Sequence, residues 1–96
     1  MSEDKIVGDQ NITLTVYPNP SSDHATIEFQ TPNNENKVFL DMYNLQGVKI
    51  GRLYEGATKA NEIIRIEMNN LDLAPGIYML HLITPQETKT TKVIRY

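Results

Sequence analysis

Apolar residues in this chain recur at every second position, in seven short runs, and nowhere keep a helical spacing over three turns. Successive side chains of a strand point to opposite faces, so such alternation marks strands with one buried face. In "ATIEFQ", Ala25, Ile27 and Phe29 alternate with Thr26, Glu28 and Gln30. "ITLTVY" sets Ile12, Leu14 and Val16 against Thr13, Thr15 and Tyr17. "KVFLDMY" puts Val38, Leu40 and Met42 on one side, and "NEIIRIEM" does the same with Ile64, Ile66 and Met68. "GVKIGRLY" places Val48 and Ile50 on one side, with Leu53 out of phase, which predicts an irregularity near Gly51. "GIYMLHLI" and "TKTTKVIRY" complete the set.

Breakers separate the runs. In "YPNP", Pro18 and Pro20 cannot donate ladder hydrogen bonds and hold the residues before them extended, so the chain leaves the sheet at Tyr17. "TPNNEN", "EGATKAN" and "TPQE" read as loops, and "NLQG" as a type I turn with Asn44 first and Gly47 last. Seven strands at roughly 8–12-residue spacing predict a single-domain antiparallel β-sandwich, immunoglobulin-like in class.

The sixth run is apolar on both faces. One row holds Tyr78, Leu80 and Leu82, and the second holds Ile77, Met79, His81 and Ile83. Either neighbours such as Phe39 and Tyr43 cover that second row, or it is an exposed patch that docks a partner or another copy of the chain. Strand addition at a sheet edge is a further docking mode.

The chain has 96 residues, enough for one core and one domain. It has no cysteine, so disulfides and thiolate metal sites are excluded. Net charge is −3, with six acids and one lysine in residues 1–36 and a basic remainder. A nucleic-acid binder would carry a stronger basic field, so no nucleic-acid partner is expected. No run approaches the ~18–20 apolar residues of a membrane helix, and residues 1–11 contain no signal-peptide h-region. Residues 1–11 read as a tail or linker and residues 12–96 as the domain. The chain is then either a complete cytosolic protein or a piece of a longer one.

Catalytic and metal chemistry find little support. His24 and His81 are the only histidines, and no metal-ligand spacing surrounds them. "SSDH" sets Ser21, Ser22, Asp23 and His24 side by side, but turn chemistry after Pro20 explains these residues better than a nucleophilic triad. Glu28, Asp41 and Glu67 could meet as paired carboxylates, although outward acids opposite Lys or Arg are the commoner arrangement. No catalytic residue, cofactor site or metal site is therefore assigned. "NIT" at Asn11 fits a glycosylation sequon as well as the first strand's alternation.

Three stretches, in order, carry a resemblance: "VYPNP" at Val16–Pro20, "MYNLQGVKI" at Met42–Ile50, and "LAPGIYMLHL" ahead of the closing "KVIRY". Together they resemble the type A C-terminal sorting domain of the type IX secretion system of Bacteroidota, over about residues 12–96. One departure is Asn44, where the family usually has Asp; Asn serves the same turn.

The resemblance implies a non-enzymatic address label fused to an upstream cargo protein. Such a domain directs its cargo from the periplasm through the outer-membrane translocon to the cell surface or medium, and a surface sortase-like protease then removes it. The implied partners are the translocon components, that protease and the cargo, with weak self-association as a further option. Cleavage would fall near or upstream of residues 1–11. The recognition element is expected in Leu73, Gly76, Tyr78, Lys92, Val93, Ile94, Arg95 and Tyr96. Tyr17, Pro18, Asn19, Pro20, Asn44 and Gly47 make up the rest of the motif. The alternative is a non-catalytic binding or adhesion module, for example a carbohydrate-binding sandwich, since one fold hosts many functions.

Overall fold

The computed structural model describes residues 12–18, 24–69 and 73–96. The strands are β1 (Thr13–Tyr17), β2 (His24–Gln30), β3 (Glu35–Asn44), β4 (Lys49–Thr58), β5 (Ile64–Asn69), β6 (Gly76–Ile83) and β7 (Thr88–Arg95). They form two antiparallel sheets, β1-β2-β5 and β4-β3-β6-β7, packed face to face as a sandwich. Each expected run of alternation is a strand.

The partition of strands follows from the turns. Gly47 donates its amide to the Asn44 carbonyl at 3.0 Å, and the Asn44 side-chain oxygen accepts the Gln46 and Val48 amides, each at 3.0 Å. Gly47 sits at φ 86°, a left-handed conformation that glycine adopts without a Cβ penalty. This tight hairpin ties β4 to β3, so β4 joins the sheet of β3, β6 and β7. In the constant-type immunoglobulin order the fourth strand instead joins the first, second and fifth.

The core lies between the inner faces. Ala25, Ile27 and Phe29 from β2 meet Val38, Leu40 and Met42 from β3, Leu80 and Leu82 from β6, and Val93 from β7. Ile12, Leu14, Met68 and Tyr78 close its margins. Burying each such aliphatic side chain is worth about 1.5–3 kcal/mol.

Strand β4 departs from simple alternation. Its register against β3 shifts three times, and the shifts between Met42 and Tyr43 and between Leu40 and Asp41 make the pairing pass over Ile50 and Leu53 on either side of Gly51. The irregularity expected there is present. Its consequence differs from the plain reading: Val48 and Ile50 do not form an inner row but are exposed, at 58% and 44%. Leu53 and Tyr54, adjacent in sequence, both pack against the core, and Tyr54 meets the Phe29 ring edge-on at 5.2 Å. A bulge allows this by adding a residue without advancing the pleat.

The outer apolar row of β6 is covered in part. Ile77, Met79, His81 and Ile83 are all half-buried. His81, expected on the strand surface, stacks on Tyr43 with ring centroids 4.4 Å apart. Ile83 lies opposite Phe39 and Ile77 opposite Ile94. Phe39 and Tyr43 thus cover the His81 and Ile83 end of this row, in line with one of the two expectations.

Candidate functional site

The strand registers sort the loops to two ends of the sandwich. Tyr17 pairs with Thr26 and His24 with Asn69, so the end of β1, the start of β2 and the end of β5 share one end of their sheet. In the other sheet, Tyr43 pairs with Lys49, Asn44 with Tyr78 and Gly76 with Arg95. A cleft lined by Met42, Ile50, Met68 and Leu73 joins the two ends into one pole. Tyr17–Pro18, Asn44–Gly47, Leu73–Tyr78 and Lys92–Tyr96 all lie at this pole. Up to about 80 positions separate these segments in sequence, and the antiparallel topology brings them together.

At the centre of the pole is Tyr78, which is buried and donates its hydroxyl to the Ala74 carbonyl at 2.5 Å. A tyrosine near the start of the penultimate strand, bonded to backbone a few residues upstream, is the tyrosine corner of β-sandwiches. It fixes the path from Leu73 through Pro75 into β6. Gly76 lies in this corner at φ 154°, where a Cβ would touch nothing within 4 Å. Its requirement is therefore the backbone angle and not space. Replacing Tyr78 by Phe removes one hydroxyl and should lower stability by about 1 kcal/mol. At roughly 4–8 °C per kcal/mol for a domain this size, a thermal melt resolves the loss. An unchanged melting temperature would mean that the corner bond contributes nothing.

The expected recognition residues divide into two groups. Tyr78 and Val93 are core residues, and Leu73 packs against the core. Gly76, Ile94 and Arg95 are half-buried, while Lys92 and Tyr96 are exposed. Among the motif residues, Tyr17 is exposed and donates to Glu28 Oε2 at 2.6 Å, and Asn44 and Gly47 build the hairpin turn. The Tyr17–Pro18 peptide is cis. Asn19 and Pro20 lie outside the described residues, as do Asn11, Ser21, Ser22, Asp23 and the expected cleavage region at residues 1–11.

Three exposed apolar residues of the middle motif were not among the expected site residues. Leu45, Val48 and Ile50 project from the β3–β4 hairpin at 61%, 58% and 44% exposure. Leu45 and Ile50 line one side of a groove of ≈ 360 Å³, and Pro75, Gly76 and Ile77 line the other. The signal for these was present in the sequence, as apolar residues within a turn, but alternation assigned Val48 and Ile50 to an inner face.

The carboxylates considered as a catalytic set do not converge. Asp41 faces outward from the four-stranded sheet and is 2% exposed beneath Arg52, whose Nε and Nη2 donate to it at 2.8 and 3.2 Å. Lys49 adds a contact at 3.5 Å. The Arg52 hydrogen bonds hold the Asp41 carboxyl below its ordinary pKa against the opposing effect of burial. The guanidinium also lies 4.1 Å over the Phe39 ring. Glu28 and Glu67 belong to the outer face of the opposite sheet, across the whole sandwich from Asp41. The Tyr17 hydroxyl first, and Arg65 second, hold the Glu28 carboxyl below its ordinary pKa. Each acid thus has its own donor, and these acids form no acid–base pair. No group of three or more His, Cys, Asp or Glu that could hold a metal ion occurs among the described residues.

The opposite pole is closed by polar groups that alternation cannot reveal. Thr31 and Thr58 share a hydrogen bond at 2.8 Å, and Asn61 donates its amide to the Thr31 carbonyl at 2.7 Å. Thr84 Oγ1 accepts the Gln86 and Glu87 amides at 3.3 and 3.1 Å in the last hairpin turn. These bonds satisfy backbone groups where the sheets end.

No curated protein matches the chain. The family model described as the secretion system C-terminal sorting domain matches residues 15–95, which takes in the described motif-bearing pole except Tyr96. The domain family is not a catalytic one. The chain therefore belongs to the secretion-system C-terminal sorting domains, the folded sorting signals of type IX secretion.

Proposed function

We propose that this domain directs an attached cargo protein from the periplasm through the outer-membrane translocon of the type IX system. A surface sortase-like protease then cuts it from the cargo. The observation that supports this reading most is the convergence of the dispersed motif segments on one pole. The described chain begins at the other pole, because β1 runs from Thr13 there to Tyr17 at the motif end. A cargo joined ahead of β1 would sit away from the motif pole and leave that pole open to a receptor.

Within this reading the motif residues divide their labour. Tyr78, Val93, Gly76 and Leu73 hold the shape of the pole. Tyr17, Lys92, Arg95 and Tyr96, with Leu45 and Ile50 beside them, present its surface. A groove bordered by the exposed Leu45 and Ile50 suits a protein receptor more than a small substrate.

The test is a fusion of residues 1–96 to the C-terminus of a periplasmic reporter in a host with a working type IX system. The reporter is expected on the cell surface or in the medium, and in the periplasm when the translocon is disabled. An intact, folded fusion that stays periplasmic in the competent host would overturn the proposal.

A further inference from the structure

The sheet β1-β2-β5 has three strands and its partner has four. With β1 beside β7 at one side, the larger sheet extends further at the other, and β4 is its margin there, where Tyr54 still reaches Phe29 of β2. Between β4 and the edge of β5 lies an apolar cleft of ≈ 200 Å³, lined by Met42, Ile50, Leu53, Met68 and Leu73.

The two edges that border this cleft differ in kind. β4 carries register shifts at Ile50 and Leu53, and such bulges turn an edge away from further pairing. β5 pairs with β2 in an unbroken register from His24↔Asn69 to Phe29↔Ile64. Among the described residues no strand pairs with its outer edge from Ile64 to Met68. That edge has neither proline nor glycine to interrupt it.

The charges on β5 specify what would lie beside it. Arg65 and Glu67 point outward between the inward Ile64, Ile66 and Met68. β2 answers Arg65 with Glu28 at 2.6 Å but gives Glu67 only the Thr26 hydroxyl at 2.8 Å. Glu67 therefore has no cation among the described residues, and a strand laid antiparallel on the free side could supply one directly opposite.

We propose that the outer edge of β5 is an acceptor site for one extended polypeptide segment of alternating apolar and charged residues. A Lys or Arg of that segment lies opposite Glu67, and its inward apolar side chains fill the cleft over β4. Backbone hydrogen bonds to β5 give the affinity, and the cleft and Glu67 give the selectivity. A second copy also offers the order base, apolar, acid about Ile66. Pairing β5 with its own copy, however, would drive the β4 margin of each molecule under the other's β5, whereas a single strand fits the one vacant position. This site does not depend on the export reading.

The probe is a labelled, acetylated peptide with the alternation valine, lysine, valine, glutamate, valine. Titration is expected to show 1:1 binding, with amide exchange slowed at Ile64–Met68. Glu67→Lys should weaken this peptide about five-fold. The same variant should bind a peptide whose lysine is replaced by glutamate better than the wild type does. Ile50→Glu, which puts a charge at an exposed position in the cleft, should reduce binding about ten-fold while circular dichroism is unchanged. Three results would each overturn the proposal: no slowed exchange at millimolar peptide on the folded domain, no response to the charge exchange, or self-association that protects β5 without peptide.

Discussion

Removal of Lys92–Tyr96 is expected to unfold the domain and thereby abolish export. The segment carries Val93, which is fully buried, and pairs Val93, Ile94 and Arg95 with Tyr78, Ile77 and Gly76. Its loss exposes the core beside the tyrosine corner and leaves the start of β6 without a neighbour on that side. Opening a core at a buried aliphatic position costs about 2–5 kcal/mol, a large share of the 5–15 kcal/mol that holds a typical domain together. Circular dichroism and a thermal melt should show loss of the cooperative transition. Lys92→Ala and Arg95→Ala lie outside the core and should change stability by about 0.5–1 kcal/mol at most. If export falls in these point variants while melting does not, the end of β7 is read as a signal. A truncated domain that still melts cooperatively near the intact temperature would refute the packing account.

Arg52→Ala should be the most damaging single change on the outer surface. It leaves the Asp41 carboxylate buried with only Lys49 beside it. The change leaves a buried charge without its main partner, and the Lys49 contact at 3.5 Å relieves it only in part. A thermal melt should show a lower melting temperature than the wild type.

The pH dependence follows in sign from Asp41, whose pKa is lowered in the folded state. A group of this kind contributes stability above its unfolded pKa, about 4, and loses it as pH falls through the folded value. The wild type should therefore weaken as the solution is acidified below about pH 4. In Arg52→Ala the deficit should be largest at pH 7 and should shrink toward pH 3, where protonation relieves the unpaired charge. Asp41→Asn should flatten the acid limb. Urea denaturation at the two pH values checks this, and an equal deficit at both would count against a charge-based role for the pair.

Alternation of apolar residues located all seven strands, because in a sandwich each strand has one dry face and the dry face must be apolar. Ala25, Ile27 and Phe29 could be assigned to the core on that ground alone, whereas the sixth run is apolar on both faces and alternation cannot say which of its rows is inside. The same logic misplaced Ile50, since a bulge shifts the pleat and no local pattern announces on which side it falls. It also gave no sign that Asp41 is buried. Aspartate on the outward phase of a strand looks solvated until a neighbouring strand lays an arginine across it.

The class of fold, the turn at Asn44–Gly47 and the membership of the chain in a sorting-domain family could all be read from the order of residues along the chain. Each of these depends on residues that are neighbours along the chain or on a fixed order of short motifs. It took the three-dimensional arrangement to show that the four motif segments meet at one pole, that Tyr78 closes a corner, and that among the described residues no strand pairs with the outer edge of β5 above an apolar cleft. Those features depend on which strands pair and which sheet has the extra strand. Pairing is a contest among distant segments for backbone hydrogen bonds and burial, and no single segment encodes its outcome.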